Sequence, residues 1–275
     1  MKRLIAALLC SLVPSVAFAA AQSASPKVSE APQPAALAPF QVEAVRQVRK
    51  GVDLWPLIVN PVTPAELRVN KTHSLLNRRL GTALTGCDAS ALEDMKQNGK
   101  IPKGYNPATE DWSRKVQVTM VDPRFLSVVE SEDYDCGGAH PDSGQMALVF
   151  DMTTGSPVNW VLQVPKSAGA SAYTDNTMDG SKMGALILPA LRPMAVAAAV
   201  DDCKEAFSDA QSFQIWLDAK RGTVVAQAFG LPHAGAECAQ EINLTIDQAR
   251  KMGFSETILI ALEQAHLQIA AAQKR

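Results

Sequence analysis

The sequence predicts an α+β domain, a mainly antiparallel sheet with helices packed on it, folded as a single domain with two disulfides. Three observations predict it. Apolar and polar residues alternate with period two at Lys115–Val121 and again at Phe213–Leu217, the pattern of half-buried strands. Two capping boxes, Thr63-Pro64-Ala65-Glu66 and Thr245-Ile246-Asp247-Gln248, announce helices outside those runs. Short turns rather than helical crossovers separate neighbouring strands, which argues for antiparallel pairing.

The chain opens with Lys2 and Arg3, an apolar run and Ala17-Phe18-Ala19, the parts of a secretory signal peptide over residues 1–20. Residues 21–39, with Pro26, Pro32, Pro34 and Pro39, read as a flexible Ala/Pro-rich linker. Residues 40–275 then form one extracytoplasmic domain, its first ten residues read as a short helix. The Thr63 cap predicts a helix to about Leu80, ended at Gly81 or Gly86, with Asn77, Arg78 and Arg79 on its solvated face. Residues 90–112 carry Asn98-Gly99, Pro102, Gly104 and Asn106-Pro107 and read as a long surface loop.

Strands follow at Lys115–Val121, Phe125–Glu130, Met146–Met152 and Val158–Val161, with turns at Asp122-Pro123-Arg124 and Thr153-Thr154-Gly155. Met183–Val200 holds Pro189, Arg192 and Pro193 and reads as a kinked buried helical segment, not a membrane span. Further strands are expected at Phe213–Leu217, Thr223–Phe229 and Glu241–Leu244. The Thr245 box opens a helix stopping at Gly253, and Ser255 caps a last helix with Ile258, Leu262, Ala265 and Ile269 on one face.

Composition narrows function. Removing Lys2 and Arg3 leaves 26 − 2 = 24 cations against 28 acids, a mature net charge of −4, and no Lys/Arg-rich run, so nucleic-acid binding is excluded as an expectation. Cys87, Cys136, Cys203 and Cys238 make an even set in an exported chain and read as two disulfides. Three pairings are open; Cys87–Cys136 with Cys203–Cys238 is favoured because each closes a compact unit. A Cys-based zinc site lacks any Cys-x-x-Cys spacing. Gly-x-Ser-x-Gly, Ser-x-x-Lys and Gly-rich phosphate cradles are absent, so no catalytic residues, metal or cofactor are assigned.

The most specific stretch is Asp135-Cys136-Gly137-Gly138-Ala139-His140-Pro141-Asp142, followed by Phe150-Asp151 and Thr154-Gly155. The two glycines permit a tight bend, and Cys136 would pin one end of it. His140 and Asp142 then stand at its tip as candidate binding residues. His233, in a second Cys-flanked loop, is the other, and with His140 and Asp135 or Glu237 it would complete a His₂-carboxylate set. Equally, the bend is architectural and His140 is tied to backbone. Trp216 lies on the polar side of its strand, facing either a ligand or a covering helix.

Gly137, Gly138, Ala139, His140 and Pro141 resemble the Gly-Gly-Ala-His-Pro segment of a bacterial extracytoplasmic domain of uncharacterised function. That domain occurs in RsiV-like, lysozyme-sensing anti-sigma factors and beside peptidoglycan deacetylase domains. The resemblance implies a single α+β domain in the periplasm or outside the cell, with peptidoglycan or a lysozyme-like protein as partner. The chain lacks those relatives' membrane span and added catalytic domain, so neither sensing nor deacetylation is carried over. The leading expectation is a non-enzymatic envelope-associated binding protein. The alternatives are a metal-assisted or acid/base hydrolase of envelope material, and a structural or stress-protective envelope protein.

Overall fold

The structure, a computed structural model, describes residues 40–99, 101, 103–105, 112–137, 141–176, 182–200, 203–209, 212–231 and 240–274. The expected signal peptide and linker lie outside them. No helix among the described residues is long and apolar enough to cross a membrane.

The fold is α+β. A two-stranded ribbon pairs β1 (Gln41–Val42) with β4 (Ile58–Val59). A six-stranded sheet has the order β2 (Gln47–Arg49), β3 (Val52–Asp53), β5 (Trp112–Val121), β6 (Phe125–Tyr134), β7 (Asp142–Asp151), β8 (Ser156–Pro157). It is antiparallel except between β3 and β5. The second sheet has five antiparallel strands in the order β13 (Glu241–Thr245), β12 (Thr223–Phe229), β11 (Ser212–Asp218), β10 (Lys182–Ile187), β9 (Ser171–Asn176). Helix α1 (Pro64–Gln97) covers the outer face of the first sheet; α4 (Ile246–Lys251) and α5 (Glu256–Ala272) pack on the second. Between β10 and β11 lie α2 (Leu191–Ala198) and α3 (Lys204–Asp209).

Both capping boxes form: Thr63 accepts from Glu66 N–H, and Thr245 from Gln248 N–H. Helix α1 runs past Gly81 and Gly86 to Gln97, converting part of the expected 90–112 loop. A helical glycine costs about 1 kcal/mol. Here Leu80, Leu84, Cys87 and Ala91 continue the buried stripe at helical spacing and outweigh it. Asn77 is not simply solvated: its amide donates to Trp55 C=O and its carbonyl accepts from Trp55 N–H, at 3.0 and 2.9 Å.

Residues 41–50 form no helix: Gln41–Val42 and Gln47–Arg49 are short strands, because pairing with Ile58–Val59 and Val52–Asp53 overrides a local helical pattern. Met183–Val200 divides into β10 and α2, the break falling near Pro189. The expected strand Val158–Val161 does not form: the strand is the two-residue β8 at Ser156–Pro157, and the chain then enters a 3₁₀ turn at Trp160–Gln163, with Asn159 accepting from Val161 N–H.

One bulge directs the core. The β5–β6 register shifts between Val118 and Met120, so Val116 is buried against α1 while Met120 is buried against the second sheet. Strand β8 pairs with only Phe150 and Asp151. Farther along β7, the Gln214 amide takes the place of a partner strand, accepting from Ala147 N–H at 2.7 Å and donating to Gln145 C=O at 2.8 Å. At the β7–β8 turn, Gly155 has φ +69°, and a Cβ there would sit 2.2 Å from Ala65 O, so this turn closes directly on the first turn of α1.

Candidate functional site

Strands β6 and β7 deliver the glycine-rich loop to one end of the first sheet. The register runs to Tyr134 opposite Asp142, so the pairing reaches the loop's own foot. Cys136 is joined to Cys87 of α1 with a Cα–Cα distance of 4.5 Å. Gly137 has φ +81°, and a Cβ on it would lie 2.9 Å from Asp94 Cβ and 3.3 Å from Ser90 O. Only glycine allows the chain to pass that close to the helix. Asp135 Oδ1 accepts from Gly137 N–H at 3.0 Å, closing the turn. Pro141 and Asp142 are exposed, as are Asp133 and Asp135.

Behind the foot, a line of polar and aromatic side chains runs inward along the sheet face beneath α1. Tyr134 Oη donates to Asp142 Oδ2 at 3.1 Å, and its ring stacks on Trp112 at 4.8 Å. Burial, helped by the Asp142 and Glu132 carboxylates, pushes the phenol pKa well above its usual value, so Tyr134 stays a hydrogen-bond donor. Trp112 Nε1 donates to Glu132 Oε2 at 3.2 Å. Arg114, 4 % exposed, pairs with Glu130, 2 % exposed, at 3.3 Å and with Glu132 at 3.8 Å. Its guanidinium stands 5.8 Å from the Trp55 ring. These residues fix the loop's base.

The line ends at His73, fully buried between Trp55 and Phe150 with ring centroids 5.2 Å from each. Nδ1–H donates to Pro56 C=O at 2.6 Å, since a carbonyl only accepts. Burial lowers the imidazole pKa to about 4 against 6.5, the Pro56 hydrogen bond opposing it weakly. A depressed histidine pKa makes the unfolded chain the stronger proton binder, so stability falls as pH drops from about 6.5 toward 4. Between pH 7 and pH 5 the expected loss is about 2 kcal/mol. Urea unfolding at the two pH values measures it, and His73→Phe should flatten the difference.

The sequence-derived candidates fare unevenly. Cys87, Cys136, Gly137, Pro141 and Asp142 come together at the loop foot. Gly138, Ala139, His140, His233 and Cys238 lie outside the described residues. So does the test of the His140–His233 metal set; among the described residues no group of His, Cys, Asp and Glu is placed to hold a metal ion. Cys203 is disulfide-bonded, but the described residues contain one complete bridge of the two expected.

Trp216 is a correction: it is buried, at 1 % exposure, and presents no binding surface. Successive strand residues alternate faces, so Trp216 shares a face with Gln214, whose amide reaches β7. The polar side of β11 is therefore the side turned to the first sheet. Sequence reading did not single out Arg114 or His73, and it placed Glu130 on an acidic edge before the motif rather than in the interior. The signal available was Arg114 in phase with Trp112 and Val116 on the apolar face of β5.

Together these features define an α+β domain that presents a disulfide-anchored loop at a sheet end. No protein-family model matches the chain, and no curated protein matches it. Among solved structures it is similar to a member of the DUF3298 family from Bacteroides fragilis NCTC 9343. That similarity has 9 % sequence identity and a TM-score of 0.48, covering 83 % of this chain and 99 % of that one.

Proposed function

We propose that the protein is a non-enzymatic binding domain of the bacterial envelope, working in the periplasm or outside the cell. Its binding element is the β6–β7 loop, and its partner is a muramidase-type protein. The observation that carries this reading is the double anchoring of the loop foot, covalent at Cys136 and steric at Gly137. A loop held at its base loses less conformational freedom on binding than a free one, which favours recognition. Exposed Asp133, Asp135 and Asp142 around it favour a cationic partner surface over a neutral glycan. The resemblance of Gly137–Pro141 to the motif of lysozyme-sensing anti-sigma factors, and the cystine itself, which suits an oxidising compartment, support the same reading.

The test is interferometry of the mature, oxidised protein against lysozyme and against purified peptidoglycan. Saturable lysozyme binding, weakened roughly tenfold or more when Asp133, Asp135 and Asp142 are changed together to Asn, is the expected result. Binding to peptidoglycan alone would transfer the role to the glycan. Binding to neither would overturn the proposal.

A further inference from the structure

Helix α1 carries a second surface, on the side away from the loop foot's buried residues. From Leu67 to Gly86 the sequence has four cations, Arg68, Lys71, Arg78 and Arg79, and no acid. At 100° per residue these four fall with Leu75 on one face, opposite the buried line of Val69, His73, Leu76, Leu80 and Leu84. Arg68 donates to Thr154 C=O at the β7–β8 turn. The side chains of Lys71 and Arg78 have no hydrogen bond or ion pair among the described residues.

Solvated helix faces gain from opposite charges three or four residues apart, and lose by similar amounts when the charges are alike. This face sets Arg68 three residues from Lys71, in a chain whose net charge is −2. Apolar groups stand among the cations: Leu75 is 39 % exposed, Leu67 at the stripe's edge 55 %, and Val62 just ahead of the helix 84 %. Val62 and Leu67 occupy the positions of a hydrophobic staple, yet both remain open to solvent.

We propose that this face of α1 rests on an anionic phospholipid surface. Charge selects the class of occupant, because Lys71 and Arg78, exposed and without an ion pair among the described residues, call for anions. The exposed leucines select the lipid, because a bilayer interface accepts apolar side chains between basic ones while a soluble polyanion gains nothing from them. The attachment is peripheral and leaves the β6–β7 loop, at the far end of α1, free to meet its own partner.

The experiment is co-sedimentation of the mature, oxidised protein with vesicles of phosphatidylcholine, with and without phosphatidylglycerol. Binding should require phosphatidylglycerol and weaken at high salt, where screening shortens to a few ångströms. Lys71→Glu with Arg78→Glu should lower partitioning by about tenfold or more, at about a factor of five per basic residue near the surface. Leu67→Ser with Leu75→Ser should lower it too, with the salt dependence retained. All four positions are exposed, so melting temperatures near that of the parent will certify the fold. Equal binding to neutral vesicles, or charge-reversed protein that binds as well as the parent, would overturn the proposal. So would binding to polyphosphate that the leucine substitutions leave untouched while vesicles capture nothing.

Discussion

Arg114→Met will destabilise the domain by about 3–5 kcal/mol, measured as a lower urea midpoint with unchanged slope. The reason is what remains: the Glu130 carboxylate, almost fully buried, loses the guanidinium 3.3 Å away, and Glu132 loses the same guanidinium at 3.8 Å. Breaking a buried ion pair by removing one partner costs far more than the pair itself contributes. The companion variant separates the two effects. Arg114→Met with Glu130→Leu removes both charges and fills the space with apolar atoms, and should recover at least half of the loss. If the single variant loses less than about 1 kcal/mol, water reaches Glu130 and the inward line of side chains is not a dry structural element. If the double variant recovers nothing, Arg114 acts through its packing on Trp55 rather than its charge.

That ion pair also marks the limit of what the sequence could reveal. Local chemistry was legible: both threonine capping boxes, the antiparallel hairpin through Asp122-Pro123-Arg124, and β11 to β13 were all readable from periodicity and turn residues. What failed was decided by distant partners. Gly81 and Gly86 signal a helix end, but nothing local says that Leu84, Cys87 and Ala91 will be buried and carry the helix on. Residues 41–50 look helical until Ile58–Val59 arrives to pair with them. Trp216 illustrates the same point on a strand, where alternation separates two faces without saying that the polar one meets another sheet. At the candidate site, the turn at Gly137 and the Cys87–Cys136 bridge were within reach. Arg114 showed only in its phase with Trp112 and Val116 on β5, and the burial of Glu130 and His73 did not show, because a buried carboxylate or imidazole reads in sequence like an exposed one.

Removing the disulfide with Cys87→Ala and Cys136→Ala together will lower stability by about 4 kcal/mol in the chain-entropy model, for a sequence separation of 49. For a chain of this size that corresponds to a fall in melting temperature of roughly 10 °C. Substitution is preferable to a reductant, because Cys203 is also disulfide-bonded and would be opened as well. The loss should be local before it is global. Beyond Cys87, α1 buries only Ala91 before its end at Gln97, so its last turns have little apolar area holding them to the sheet. Amide exchange over residues 88–97 should therefore accelerate well below the melting point, while Leu76 and Leu80 remain protected. A drop of only about 2 °C would mean that the Gly137 seat against Asp94 and the Trp112–Tyr134 stack suffice to hold the loop foot. In the expected case the bridge couples two things that pull in the same direction. It keeps the end of α1 folded, and through that end it holds Cys136 and Gly137 at the loop foot, so loss of the bond should weaken the lysozyme binding proposed above even at temperatures where the domain is still folded.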